Sequence, residues 1–212
     1  MKFQFDKFIN ASLALFGENN LAKILVHKIF SSGIKNLDFW SNDFFLQKYR
    51  LDYLESVHFD ILNVNVFVPN PYQIEDSILA KDCIIDTFSD MNYKLQLSAA
   101  CMKVKKTCIF IFKQNYNAQI YPMLPGKSSC LNCLSEAGIL FESGIEKGQN
   151  GIDLLIDEFL ASLIILEVAK LTTKFGIVQG NEIIQYNFLS GEVNTIHGLD
   201  KMSDCPDCGA KV

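Results

Sequence analysis

The sequence predicts an α/β fold: a mainly parallel sheet with a C-terminal region stapled by zinc. Three observations predict it. Short apolar runs alternate with stretches of helical periodicity over residues 1–113, which is the signature of βαβ units. The character then changes to a further strand, a long helix and a hairpin. Finally, two Cys-x-x-Cys knuckles frame that second part. The chain of 212 residues suits one domain over 1–212, with halves at 1–113 and 114–212.

Residues 11–16 form an apolar run closed by Gly17, as a buried strand would be. Asn20 is placed to cap a helix running to Phe30, which Gly33 stops. Residues 35–40 read as a second strand, 43–56 as a helix, and 58–68 as a third strand ending before Pro69. A fourth strand at 82–86, a helix at 90–104 and a fifth strand at 107–112 complete the alternation. Residues 118–123 add a strand, and Pro125-Gly126 make a turn. Residues 143–151 look like a flexible loop, 154–171 like a buried amphipathic helix, and 182–188 with 192–197 like a hairpin.

Composition narrows the function. An apolar content of 49% with 20% charged residues excludes a disordered tail. A net charge of −5 argues against a nucleic-acid partner. The 154–171 stretch carries Asp157, Glu158, Glu167 and Lys170, so it does not read as a membrane span. No secretory apolar run opens the chain, so a reducing cytoplasm is expected for its seven cysteines. A mean hydropathy of +0.15 points to surface covered by another chain.

The sharpest chemical signal is Cys130-Leu131-Asn132-Cys133 answered by Cys205-Pro206-Asp207-Cys208. One such knuckle would equally suit a redox pair. Two supply the four thiolates that tetrahedral Zn²⁺ prefers, in a closed structural site with no position left for substrate. Gly209 would let the second knuckle turn tightly. Cys83, Cys101 and Cys108 sit among apolar residues and read as core packing. His27, His58 and His197 suggest no catalytic dyad.

Three stretches, taken in order, resemble the ubiquitin-activating-enzyme-like superfamily, whose bacterial members are the ThiF/MoeB-type adenylyltransferases. They are residues 83–101, where Cys83-Ile84-Ile85-Asp86-Thr87 leads into Ser98-Ala99-Ala100-Cys101, residues 119–134 through the first knuckle, and residues 151–171 with the terminal knuckle. The resemblance implies a Rossmann-like fold, dimers, and ATP-Mg²⁺ used to adenylate the C-terminal carboxylate of a peptide or small carrier protein. It also implies a glycine-rich turn, an acid for the ribose, cations for the phosphates and an Asp for Mg²⁺.

This chain departs from that pattern. Of the glycine-rich turn only Gly17 remains, followed by Glu18, whose charge would repel phosphate at a helix N-terminus. Ser41 stands where the ribose acid belongs; the nearby Asp43 is either a displaced substitute or a helix cap. Lys48 and Arg50 either meet an anion or are solvated surface charges. Ser89 falls at the Mg²⁺ position, and Asp90 could replace it only if the turn shifts by one residue. Asp86 matches a family position but equally suits bracing the next helix, and Lys94 falls where a basic residue is expected. Gly17, Asp43 and Lys48 are therefore the candidate cofactor contacts, and Asp86, Asp90 and Lys94 the candidate catalytic groups.

The expected function is a degenerate scaffold or peptide-binding subunit with a structural zinc, of the kind the resemblance places in ribosomal-peptide, azoline-forming pathways. The N-terminal segment is too short for a separate winged-helix domain, so a peptide would use the sheet's C-terminal edge or the 143–151 loop. The alternatives are a working adenylyltransferase and the regulatory half of a dimeric activating enzyme. All three imply a homodimer or a complex with a partner enzyme.

Overall fold

A computed structural model of the chain describes residues 3–41, 62–66, 71–141, 151–178 and 180–209. Its elements are α1 (Phe5–Ile9), β1 (Ser12–Phe16), α2 (Asn20–Ser31), β2 (Asn36–Ser41), β3 (Leu62–Val66), α3 (Pro71–Leu79), β4 (Cys83–Asp86) and α4 (Met91–Val104). Then follow β5 (Cys108–Gln114), β6 (Asn117–Met123), α5 (Leu131–Glu136), α6 (Gly151–Thr173), β7 (Ile183–Asn187) and β8 (Glu192–Ile196).

The strands form one sheet in the order β3-β2-β1-β4-β5-β6-β7-β8. The pairings from β3 across to β5 are parallel, and those from β5 to β8 are antiparallel. This is the mainly parallel, Rossmann-like core the sequence predicts. After β3 the chain crosses back to place β4 on the other side of β1, so the carboxyl ends of β1 and β4 flank a topological switch point. Strand alternation sends Leu13, Leu15, Ile109, Ile111 and Ile120 to one face, under α1, α2 and α6. It sends Phe16, Ile84, Phe110, Tyr121 and Met123 to the other, under α3, α4 and α5.

Local chemistry explains most boundaries. Asn19, extended at φ −114° and ψ 178°, accepts from Ala22 N and caps α2; Asn20 is already the first helical residue, which corrects the predicted cap by one position. Asp90 caps α4 through Asn92 N and Tyr93 N, and Lys105 ends it in the left-handed region. The helix expected at 43–56 and the loop at 143–150 lie outside the described residues, whereas Gly151 opens α6. Three short helices were not predicted: α1, α3 and α5. Each spans nine residues or fewer, too few turns for periodicity to stand out.

The long helix differs from expectation in its outer face. α6 buries Ile156, Leu160, Ile164 and Val168 against the sheet, yet Ile152, Leu154, Leu155, Phe159 and Leu166 are exposed, so apolar residues ring much of it. No helix among the described residues is long and apolar enough to cross a membrane.

Candidate functional site

The knuckles meet. Cys130 is the N-cap of α5 and Cys133 lies one turn in, while Cys205 and Cys208 come from the segment after β8. The four Sγ atoms lie within 4.8 Å of one another. Cys130–Cys133 is 3.8 Å, Cys130–Cys205 3.4 Å and Cys133–Cys208 3.5 Å. A tetrahedron of sulfurs about 2.3 Å from a central metal has edges of about 3.8 Å, so the array could hold such an ion. Backbone amides already point at sulfur: Cys130 N donates to Cys208 Sγ at 3.5 Å and Met202 N to Cys133 Sγ at 3.4 Å. As thiols the group is electrostatically uneven. Burial pushes Cys130 up and Cys208 up to about 11. Burial also acts on Cys205, but the Cys208 and Asp207 amides outweigh it and hold that thiol at about 7.

The turns around the array are tight. A methyl on Gly209 would come within 2.6 Å of Cys205 O and 2.8 Å of Cys205 N, so glycine is required there. Two residues inside the knuckles were missed by sequence reasoning: Asn132 Nδ2 donates to Asp207 Oδ2 at 2.5 Å, latching one knuckle to the other. Their signal was a polar residue just before the second cysteine of each knuckle. The segment leading into α5 is fixed by a buried network, with Tyr121 Oη donating to Ser129 O and Ser129 Oγ to Leu199 O, both at 2.6 Å. Cys83, Cys101 and Cys108 are fully buried in the core, apart from the array, and burial raises the Cys83 and Cys108 thiols.

The switch point holds Gly17, Asp86 and Thr87. Gly17 N donates to Trp40 O at 3.0 Å, and Thr87 N donates to Phe16 O at 2.8 Å, lacing β1 to both neighbours. A methyl on Gly17 would overlap the Thr87 hydroxyl and sit 2.8 Å from the Ala22 methyl. Asn19, also missed, bridges the corner: its Nδ2 donates to Thr87 O at 2.6 Å while its Oδ1 caps α2. Trp40 stacks on Phe16 with ring centroids 5.9 Å apart.

The candidate catalytic groups separate. Asp86 and Lys94 are brought together, Nζ to Oδ2 at 2.5 Å, with both side chains fully buried. Lys94 also donates to Ile111 O at 2.7 Å and lies 4.7 Å over the Phe112 ring. Burial pushes the Asp86 carboxyl up, against the opposing pull of the Lys94 ammonium and the Phe88 amide. Asp90 is not part of this pair and serves as the α4 cap. Asp43 and Lys48 lie outside the described residues.

Comparison with known proteins bears on this arrangement. The model of the ThiF family matches residues 54–207. The vegetative HesA protein of Trichormus variabilis is 25% identical over 166 residues, 74% of this chain and 57% of that protein. The chain thus spans somewhat more than half the length of that relative. Among solved structures, E. coli MccB with ATP superposes with a TM-score of 0.74 at 14% identity, covering 96% of this chain and 68% of that one. The microcin C7 biosynthetic enzyme MccB with N-formylated MccA gives 0.76 at 15%, covering 97% and 69%. A heterocyclase in complex with substrate and cofactor gives 0.60 at 13%, covering 97% of this chain and 26% of that one. At such identities the superpositions speak for the fold, while the sequence match extends over more than half of the chain, from before β3 into the second knuckle: the chain belongs to the ThiF family.

Proposed function

We propose that this chain is a ThiF-type scaffold that binds a peptide or a partner enzyme in ribosomal-peptide natural-product maturation, without turning over ATP. One observation carries the reading: the Asp86–Lys94 pair is sealed at the switch point. Neither group meets a nucleotide unless the pair is broken and a buried charge is left alone. The corner around it supports the same view. The Gly17 and Ala22 amides are engaged internally, by Trp40 O and the Asn19 side chain, where a phosphate would need them. In this reading the corner formed by Gly17, Asn19, Asp86 and Lys94 is filled by the protein's own contacts and does not hold ATP-Mg²⁺.

The array of Cys130, Cys133, Cys205 and Cys208 takes Zn²⁺ in this reading, as a staple that ties the residues after β8 to α5. Residues 1–212 act as one domain, since β5 and β6 pair in register across the 113/114 boundary. The peptide context is supported by the likeness to MccB, solved with MccA, and to a heterocyclase solved with its substrate.

A working adenylyltransferase is the rival, favoured by the intact switch point and the likeness to MccB solved with ATP. Isothermal titration of the metal-loaded chain with ATP-Mg²⁺ separates the two. The scaffold reading expects no binding heat and no pyrophosphate exchange; micromolar binding with exchange overturns it. Fluorescence anisotropy with a labelled precursor peptide encoded beside the gene then reads the peptide site directly.

A further inference from the structure

We infer that Asn181 is a positioning residue for the metal: its side chain holds both cysteine knuckles in place before an ion arrives. The inference rests on the metal staple of the reading above, and is independent of whether the chain turns over ATP or binds a peptide. Asn181 stands just before β7 at φ +74°, a left-handed conformation that glycine adopts freely and other residues rarely. Its side chain is fully used there. Oδ1 accepts from Ser129 N at 2.9 Å and Nδ2 donates to Leu199 O at 2.6 Å. Turning the amide over would set oxygen against oxygen and N–H against N–H, so the two bonds fix its orientation. The Asn181 backbone N donates to Ser128 Oγ at 3.1 Å, which also accepts from Leu124 N at 2.9 Å. Leu199 O takes a second donor, Ser129 Oγ, at 2.6 Å. Ser128 and Ser129 are wholly buried, where an unmade hydrogen bond is costly.

Both anchors lead to ligands. Ser129 immediately precedes Cys130, and Leu199 lies on the segment between β8 and Cys205. Past the first anchor, Cys130 N donates to Cys208 Sγ at 3.5 Å; past the second, Met202 N donates to Cys133 Sγ at 3.4 Å. Each of these sulfur-facing amides is therefore carried by a backbone segment that Asn181 ties to β7. Four thiolates around Zn²⁺ leave net negative charge on the sulfurs, and amides aimed at them offset it. The Asn132–Asp207 bond joins the knuckles to one another, whereas Asn181 joins both of them to the sheet. In small zinc domains the ion itself supplies the energy that orders its ligand segments. Here the hydrogen bonds at Asn181 do so, and the fold sets the site in advance.

Zn²⁺ affinity of the full chain, read by competition with a chromophoric chelator at a temperature where the variants are folded, tests this. Asn181→Gly suits the left-handed backbone and removes only the side chain. It should keep the far-UV circular dichroism of the wild type while binding Zn²⁺ about 10–100-fold more weakly, the range for groups that orient metal ligands. Asn181→Asp keeps the acceptor for Ser129 N but turns an oxygen toward Leu199 O, so it should weaken binding as well. Asn187→Gly is the control. Asn187 lies at the other end of β7, and its side chain likewise accepts from two backbone amides, Leu189 N and Ser190 N, both at 3.0 Å. Its loss should cost stability and leave the affinity unchanged. Wild-type affinity in either Asn181 variant overturns the inference. An equal loss of affinity in Asn187→Gly also overturns it, since the effect would then be one of general stability. A wild-type chain that takes up no Zn²⁺ overturns the staple reading and this inference with it, whereas an Asn181 variant that binds as tightly as the wild type overturns the inference alone.

Discussion

The Lys94 ammonium lies 2.5 Å from Asp86 Oδ2 with both side chains wholly inside the protein, at the carboxyl end of β4. Removing one partner strands the other. Lys94→Met should cost about 3–5 kcal/mol in urea unfolding, and Asp86→Leu combined with Lys94→Met should cost less than the single change.

The same pair fixes a pH response. Burial already holds Asp86 above the ordinary carboxylate range, and Lys94→Met removes the ammonium that pulls it down. The native state then binds more protons than the unfolded chain from about pH 4 upward. Stability of Lys94→Met should therefore be greatest in acid and fall as pH rises through the native pKa. A variant whose stability instead climbs over that window would show that Asp86 stays ionised without its partner.

Four thiols gathered within 4.8 Å should bind metal in one stoichiometric step. Plasma emission should find about one Zn²⁺ per chain, and Cys130→Ser or Cys205→Ser should bring it close to zero. Cys83→Ala should leave the metal content unchanged, since that thiol is in the core apart from the array. Metal should leave progressively in acid, as protons compete for the sulfurs, and chelation should lower Tm. Retention of metal by Cys205→Ser would remove the terminal knuckle from the site.

How legible these features were depended on their range. The knuckles were plain because Cys-x-x-Cys is a local spacing whose partner type is known in advance. The strands were plain because β1, β4 and β5 are apolar on both faces and stand out as continuous runs. Asp86 and Lys94 were found as positions but not as a pair, because their closure needs Ile111 and Phe112 from a neighbouring strand. Asn19 was missed for a similar reason: its value lies in reaching Thr87, a residue distant in sequence. The exposed stripe of α6 read as core because apolarity alone does not say which side faces the sheet.

Asn19 joins two elements with one side chain, so its loss should exceed that of an ordinary cap. Asn19→Ala removes the 3.0 Å bond from Ala22 N and the 2.6 Å bond to Thr87 O. A loss of about 1–2 kcal/mol is expected, seen as a Tm lower by about 2–8 °C. Asn19→Asp should keep the cap but lose the donor to Thr87 O, and so fall between wild type and Asn19→Ala.

Gly17 tests whether the switch point is closed by packing. Its place is taken up on one side by the Thr87 hydroxyl and on the other by the Ala22 methyl, so any side chain must push β4 or α2 away. Gly17→Ala should then destabilise by about 1–3 kcal/mol, the range for overpacking a filled site. Thr87→Ala removes the hydroxyl and a methyl from that contact, so in the Gly17→Ala background it should recover part of the loss. It cannot recover all of it, because the Ala22 methyl stays 2.8 Å from the new carbon. Denaturant unfolding of the two single variants and the double gives the coupling directly. Additive losses would mean that Gly17 and Thr87 do not press on one another, and that the corner has room the structure does not show.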